Sequence, residues 1–145
     1  MIKPRDLMEL AERLAAIGAE AEGRAAVSRA YYSAFHHAKS LLEDKCGLKL
    51  PNSAEAHKKV CFCLEASKNN ELIDIADRLH TLRRSRNHAD YDLTESRFVK
   101  IPNVQTQMTT AKKIVADIDA AALRMVDFRQ EVRRYASEVL KLALR

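Results

Sequence analysis

The chain has no tryptophan, and only three glycines, three prolines and three cysteines among 145 residues. So few turn-forming residues argue against the short strands and tight hairpins of an all-β fold, and favour long helices. An odd number of cysteines without a secretion leader argues against a disulfide framework. No apolar run approaches the roughly 18 residues that a membrane span needs. The opening Met1-Ile2-Lys3-Pro4-Arg5-Asp6 lacks the apolar stretch of a signal peptide. The expectation is therefore a cytoplasmic protein without membrane contact. His57, Cys61 and Cys63 tempt a zinc reading, but on a helix the two cysteines point roughly 200° apart at about 100° per residue. No metal and no cofactor are expected.

What is present is enough to build a core. Hydrophobic residues make up 47% of the chain, and its length suits one domain, 1–145. The formal charge of +5 is mild, compatible with nucleic acid without being diagnostic of it. Breaks near Gly18–Gly23, Gly47–Asn52, Asn69-Asn70 and Phe98–Asn103 divide the chain into about five helical segments. The first runs from about Pro4 to Ile17, and the second from about Glu22 to Lys45 with Val27, Ala30, Tyr31, Ala34, Ala38, Leu41 and Leu42 as its stripe. The third follows Ser53, a candidate N-cap, and ends near Ser67. The fourth starts near Asn70.

From Val104 to Arg145 there is neither glycine nor proline. A continuous helix there would be roughly 60 Å long. Ile118, Met125, Val132 and Val139 recur at seven-residue spacing, interleaved with Ala121, Phe128, Tyr135 and Leu142. Such series predict a coiled-coil-like seam with another molecule. The alternative is a break near Asp127, with the helix folding back onto its own core. Bundle and C-terminal extension divide at about residue 125, giving 4–125 and 126–145. The basic residues of this half, Arg124 to Arg145, are read as a solvated surface able to attract RNA phosphates.

The densest chemistry lies in Leu82-Arg83-Arg84-Ser85-Arg86-Asn87-His88-Ala89-Asp90-Tyr91-Asp92. Arginine grips phosphate with a planar fork of donors. Histidine moves protons near neutral pH. At about 100° per residue, Leu72, Ile75, Leu79, Leu82 and Ala89 share one face of this helix, and Arg86 falls within it. Asp90, four residues on, is placed to pair with Arg86. Arg83 and Asn87 lie at the border, and Arg84 and His88 point away. Tyr31 is read as core. Tyr32, off the core face, is a candidate for partner or RNA contact. His37 is read as a hydrogen-bonded structural histidine, while His57 and His80 have no evident partner.

Ala30-Tyr31-Tyr32-Ser33-Ala34-Phe35-His36-His37-Ala38, followed by Arg86-Asn87-His88-Ala89-Asp90-Tyr91-Asp92, resembles the HEPN family (higher eukaryote and prokaryote nucleotide-binding domain) over about residues 5 to 125. The resemblance implies an all-α, up-and-down bundle of four or five helices, here with a long C-terminal helix, that dimerises. Many members are metal-independent endoribonucleases in which an arginine, a polar residue and a downstream histidine meet their symmetry mates in one cleft. Two registers stay open. Arg83 with His88 gives the catalytic spacing, although Arg84 stands where the family more often has Asn, Asp or His. Arg86-Asn87 fits the start of the motif, but its fifth position is Tyr91. In the first register Arg83 holds phosphate and His88 is acid and base, with Arg86, Asn87, Asp90, Tyr91 and Tyr32 in support. The resemblance implies RNA cleavage by a homodimer, as a toxin or defence effector. The other implication is a non-catalytic module that binds a partner such as a nucleotidyltransferase antitoxin or a larger effector. In a toxin subgroup that nucleotidyltransferase modifies a tyrosine two residues after the histidine; here Tyr91 follows His88 by three.

Overall fold

The computed structural model describes residues 1–124 and 128–145. Six α-helices are present among them: α1 (Pro4–Ile17), α2 (Glu20–Cys46), α3 (Glu55–Glu65), α4 (Asn70–Tyr91), α5 (Ile101–Ala122) and α6 (Arg129–Glu138). A short 3-10 turn, Ser96–Val99, joins α4 to α5. The protein is an all-α bundle. No described helix is long and apolar enough to cross a membrane.

Pro4 opens α1 where its missing N–H costs nothing, and the Asp6 carboxylate accepts from the Lys3 amide at 2.7 Å. The second helix is the axis of the fold. Ala26, Ala30, Ala34 and Ala38 recur every four residues and are fully buried, so neighbouring helices can approach closely there. Val27, Tyr31, Phe35 and Leu42 bury a second stripe of the same helix. The single stripe read from the sequence is thus too narrow, because α2 packs against α1, α3, α4, α5 and α6. The cap of α3 also needs correction. Ala54, without a side-chain cap, holds that position in place of Ser53, whereas Asn69 Oδ1 caps α4 through the Glu71 and Leu72 amides.

The unbroken C-terminal helix does not form. Helix α5 ends at Ala122, and Phe128, Val132 and Ala136 of the following segment are buried in the same core as α2. Met125 and Asp127, on which the heptad series and the expected break fall, lie outside the described residues, as does the boundary drawn near residue 125. Folding back removes from water apolar side chains that a projecting helix would leave exposed, a gain of roughly 1.5–3 kcal/mol for a large residue such as Phe128. The tail then pairs with the end of α2. Leu144 bridges Leu48, and the Arg145 amide donates to the Gly47 carbonyl at 2.7 Å. Arg133, read as a solvated cation, instead donates to the Cys46 carbonyl at 2.8 Å. Gly47 has φ +68°, a left-handed conformation that favours glycine, and a Cβ there would also push aside the Arg133 guanidinium that donates to Cys46.

Candidate functional site

Helices α2 and α4 cross so that Tyr31 and Tyr32 face the charged turn of α4. Arg86 is 6% exposed. Its guanidinium carbon lies 5.4 Å from the Tyr31 ring centroid, 5.2 Å from that of Tyr32 and 5.9 Å from that of Tyr91. Electron-rich ring faces replace part of its lost hydration. Arg86 Nη1 stands 3.6 Å from Asp90 Oδ2, and the Ser28 hydroxyl donates to that same oxygen at 3.1 Å. The helical spacing that placed Arg86 on the apolar face with Asp90 beside it describes this arrangement. Arg86 Nε is nevertheless buried without a hydrogen-bond partner, and so is Arg83 Nε.

The corner continues onto α3. The Tyr31 hydroxyl lies 2.6 Å from His57 Nδ1, and the Phe35 and His57 ring centroids are 4.2 Å apart. Burial, together with the nearby Arg83 and Arg86 charges, lowers the His57 pKa to about 4. Burial likewise holds the Tyr31 phenol above its ordinary range. The Tyr31 hydroxyl has no other partner among the described residues, so its donation to Nδ1 satisfies both groups and assigns the imidazole proton to Nε2. Burial and the Lys39 ammonium also lower the His36 pKa. Sequence reasoning left His57 without a partner because Tyr31 is distant in the chain; the only signal was an aromatic-rich α2 beside a lone histidine. Cys61 and Cys63 are both buried, and burial pushes each thiol up to about 12.

Arg83 and His88 meet different neighbours. The Arg83 charge acts on Tyr31, His57 and Cys61. The His88 imidazole lies with the Asp92 and Glu95 carboxylates, their ligand atoms within 4.8 Å of one another. That trio has the donor chemistry for a divalent cation. Part of that set is already engaged: Asp92 Oδ1 accepts from the Thr94 amide and hydroxyl, and Glu95 Oε1 accepts from the Arg97 amide. The Thr94 bonds also hold the Asp92 carboxyl below its usual range. Asn87 is exposed, and Tyr91 is 77% exposed.

The end of α4 is secured by a residue that sequence reasoning overlooked. Arg24 on α2 donates to the carbonyls of His88 (3.3 Å), Ala89 (3.1 Å), Asp92 (2.9 Å) and Glu95 (2.6 Å), and pairs with Glu20 at 3.0 Å. It supplies a donor to the Ala89 and Glu95 carbonyls, adds a second one to the His88 and Asp92 carbonyls that already accept from the Asp92 and Glu95 amides, and sits at the negative end of the helix dipole.

No protein-family model, curated protein or solved structure matches this chain.

Proposed function

We propose that the chain is a HEPN-type protein that acts on RNA as a metal-independent endoribonuclease. It works as a cytoplasmic homodimer in the role of a toxin or defence effector. One observation carries the reading: the side chains of Arg83, Arg84, Asn87 and His88 form no hydrogen bond or ion pair among the described residues, whereas Arg24 and Arg86 beside them are engaged. Uncommitted donors next to an aromatic corner suit phosphate and base. In this reading His88 takes the proton of a ribose 2′-hydroxyl, whose oxygen attacks phosphorus and expels the 5′-oxygen. Arg83 stabilises the charge that develops on the phosphate. The products are a 2′,3′-cyclic phosphate and a 5′-hydroxyl. Arg83 and His88 diverge by roughly 140° on the helix, so the protonated His88 of a second copy gives its proton to the departing 5′-oxygen.

The test is RNA cleavage in EDTA with the product ends mapped. His88→Ala and Arg83→Ala should each lower the rate by about 10²-fold or more. Folded variants that cut as fast as the wild type refute the assignment.

A second reading is favoured by the engagement of Arg86 and Asp90 in packing. Under it the bundle is a non-catalytic module for a partner protein such as a nucleotidyltransferase. His88→Ala would then be silent in every assay, while Arg86→Ala lowers thermal stability.

A further inference from the structure

We propose that the cavity between α2, the Pro51–Ser53 turn and the start of α3 is a nucleobase-binding site, taking an unpaired base of an RNA strand or the base of a free mononucleotide. The RNA reading above enters only through the strand as a source of the base. The cavity measures about 220 Å³. That is smaller than the roughly 300–1,000 Å³ clefts that hold drug-sized ligands, and it suits one heteroaromatic ring system. Tyr32, Phe35, His36 and His57 line it with aromatic rings inclined to one another, and the half-buried rings of Tyr32 and His36 are the ones that can meet the π face of a base.

The most deeply buried polar groups of the cavity, Lys39 and His57, offer donors. Lys39, 8% exposed, donates to Asn52 Oδ1 at 2.6 Å and pairs with Glu43 at 3.9 Å, and the bond to Asn52 leaves the Asn52 amide NH₂ uncommitted. His57 is nine-tenths buried, and its Nε2 proton has no partner among the described residues, because Tyr31 occupies Nδ1. No carboxylate lines the cavity. An ammonium, an amide NH₂ and an imidazole N–H match a planar ligand that presents carbonyl acceptors. Among the bases uracil fits best, with two ring carbonyls and no amino group; guanine and cytosine have one carbonyl each, and adenine has none.

The experiment uses the full chain carrying His88→Ala, in EDTA, titrated with hexa-uridylate, hexa-adenylate and uridine monophosphate. The His57 side chain is followed by ¹⁵N NMR. Hexa-uridylate should bind about tenfold or more tighter than hexa-adenylate, and its saturation should shift the His57 Nε2 signal. His36→Ala and Asn52→Ala, both outside the hydrophobic core, should each weaken hexa-uridylate by about tenfold. Uridine monophosphate bound with the same dependence on these variants makes the free nucleotide an occupant. A mononucleotide that fails where the hexamer binds restricts the site to a strand. Affinity unchanged in both variants, or a His57 signal that stays fixed, overturns the site. Equal affinity for the two hexamers overturns the carbonyl preference. Wild-type cleavage without hexamer dependence on His36 and Asn52 sinks the pocket alone; mononucleotide binding in a protein that never cuts RNA sinks the ribonuclease alone.

Discussion

Arg24 and Arg86 are both taken out of water, at 7% and 6% exposure, and the bundle treats them in opposite ways. Arg24 is saturated: four backbone carbonyls and the Glu20 carboxylate receive its donors. Arg86 lies among three tyrosine rings with one carboxylate at 3.6 Å, and its Nε stays unpartnered. An unmade hydrogen bond in the interior costs about 1–3 kcal/mol. The Arg24 corner is finished architecture. The Arg86 corner leaves one buried N–H unused, and the side chains of Arg83, Arg84 and His88 next to it, unlike Arg86, form no hydrogen bond or ion pair among the described residues. The donors of Arg84 and His88, which reach solvent, are of the kind that a ligand with phosphate and carbonyl oxygens would satisfy.

The contrast makes ranked predictions. Arg24→Met should destabilise most, by about 3–5 kcal/mol in urea unfolding, because it leaves the Ala89 and Glu95 carbonyls without a donor and the Glu20 carboxylate without its partner. Arg24→Lys should recover less than half of that loss, since one ammonium cannot replace a fork that reaches four oxygens. Arg86→Met should cost less, about 1–2 kcal/mol. The substitution removes an unsatisfied Nε, and Asp90 keeps its Ser28 bond at the solvent edge. Equal losses for the two methionine variants would erase the distinction between the corners.

A separate effect is one of pH. His57 titrates near 6.5 when unfolded and near 4 when folded. Between those values the unfolded chain binds a proton that the folded chain does not, so stability falls as pH falls from 6.5 towards 4 and levels below it. The slope from this residue is at most about 1.4 kcal/mol per pH unit. His57→Gln should flatten that part of the profile of melting temperature against pH. A variant with the wild-type slope would show that His57 is not held neutral by this corner.

Much of α4 was legible in the sequence. Arg86 inside the apolar face and Asp90 one turn on follow from the 3.6-residue repeat, which acts within a single helix. His37, read as a structural histidine, does bond the Ser33 carbonyl one turn back, at 2.8 Å. The partners of Arg24 and His57 were not legible. Arg24 reaches carbonyls more than 60 residues away, and a carbonyl carries no side-chain signature. Tyr31 and His57 are 26 residues apart and meet only because α3 folds onto α2. The seven-residue series failed for a related reason. Ile118, Ala121, Phe128 and Val132 are indeed apolar positions to be buried, but periodicity names the face and not the surface that covers it.

By itself the sequence determined the helices, their apolar faces and the internal pairing of α4, since short-range geometry dictates these. Tertiary structure decided the rest: that the C-terminal segment turns back onto its own core, that Arg24 closes α4, and that Tyr31 orients His57 beside an open, donor-lined cavity. Those outcomes depend on which buried surfaces compete best for one another, and that competition is settled only when all six helices are packed together.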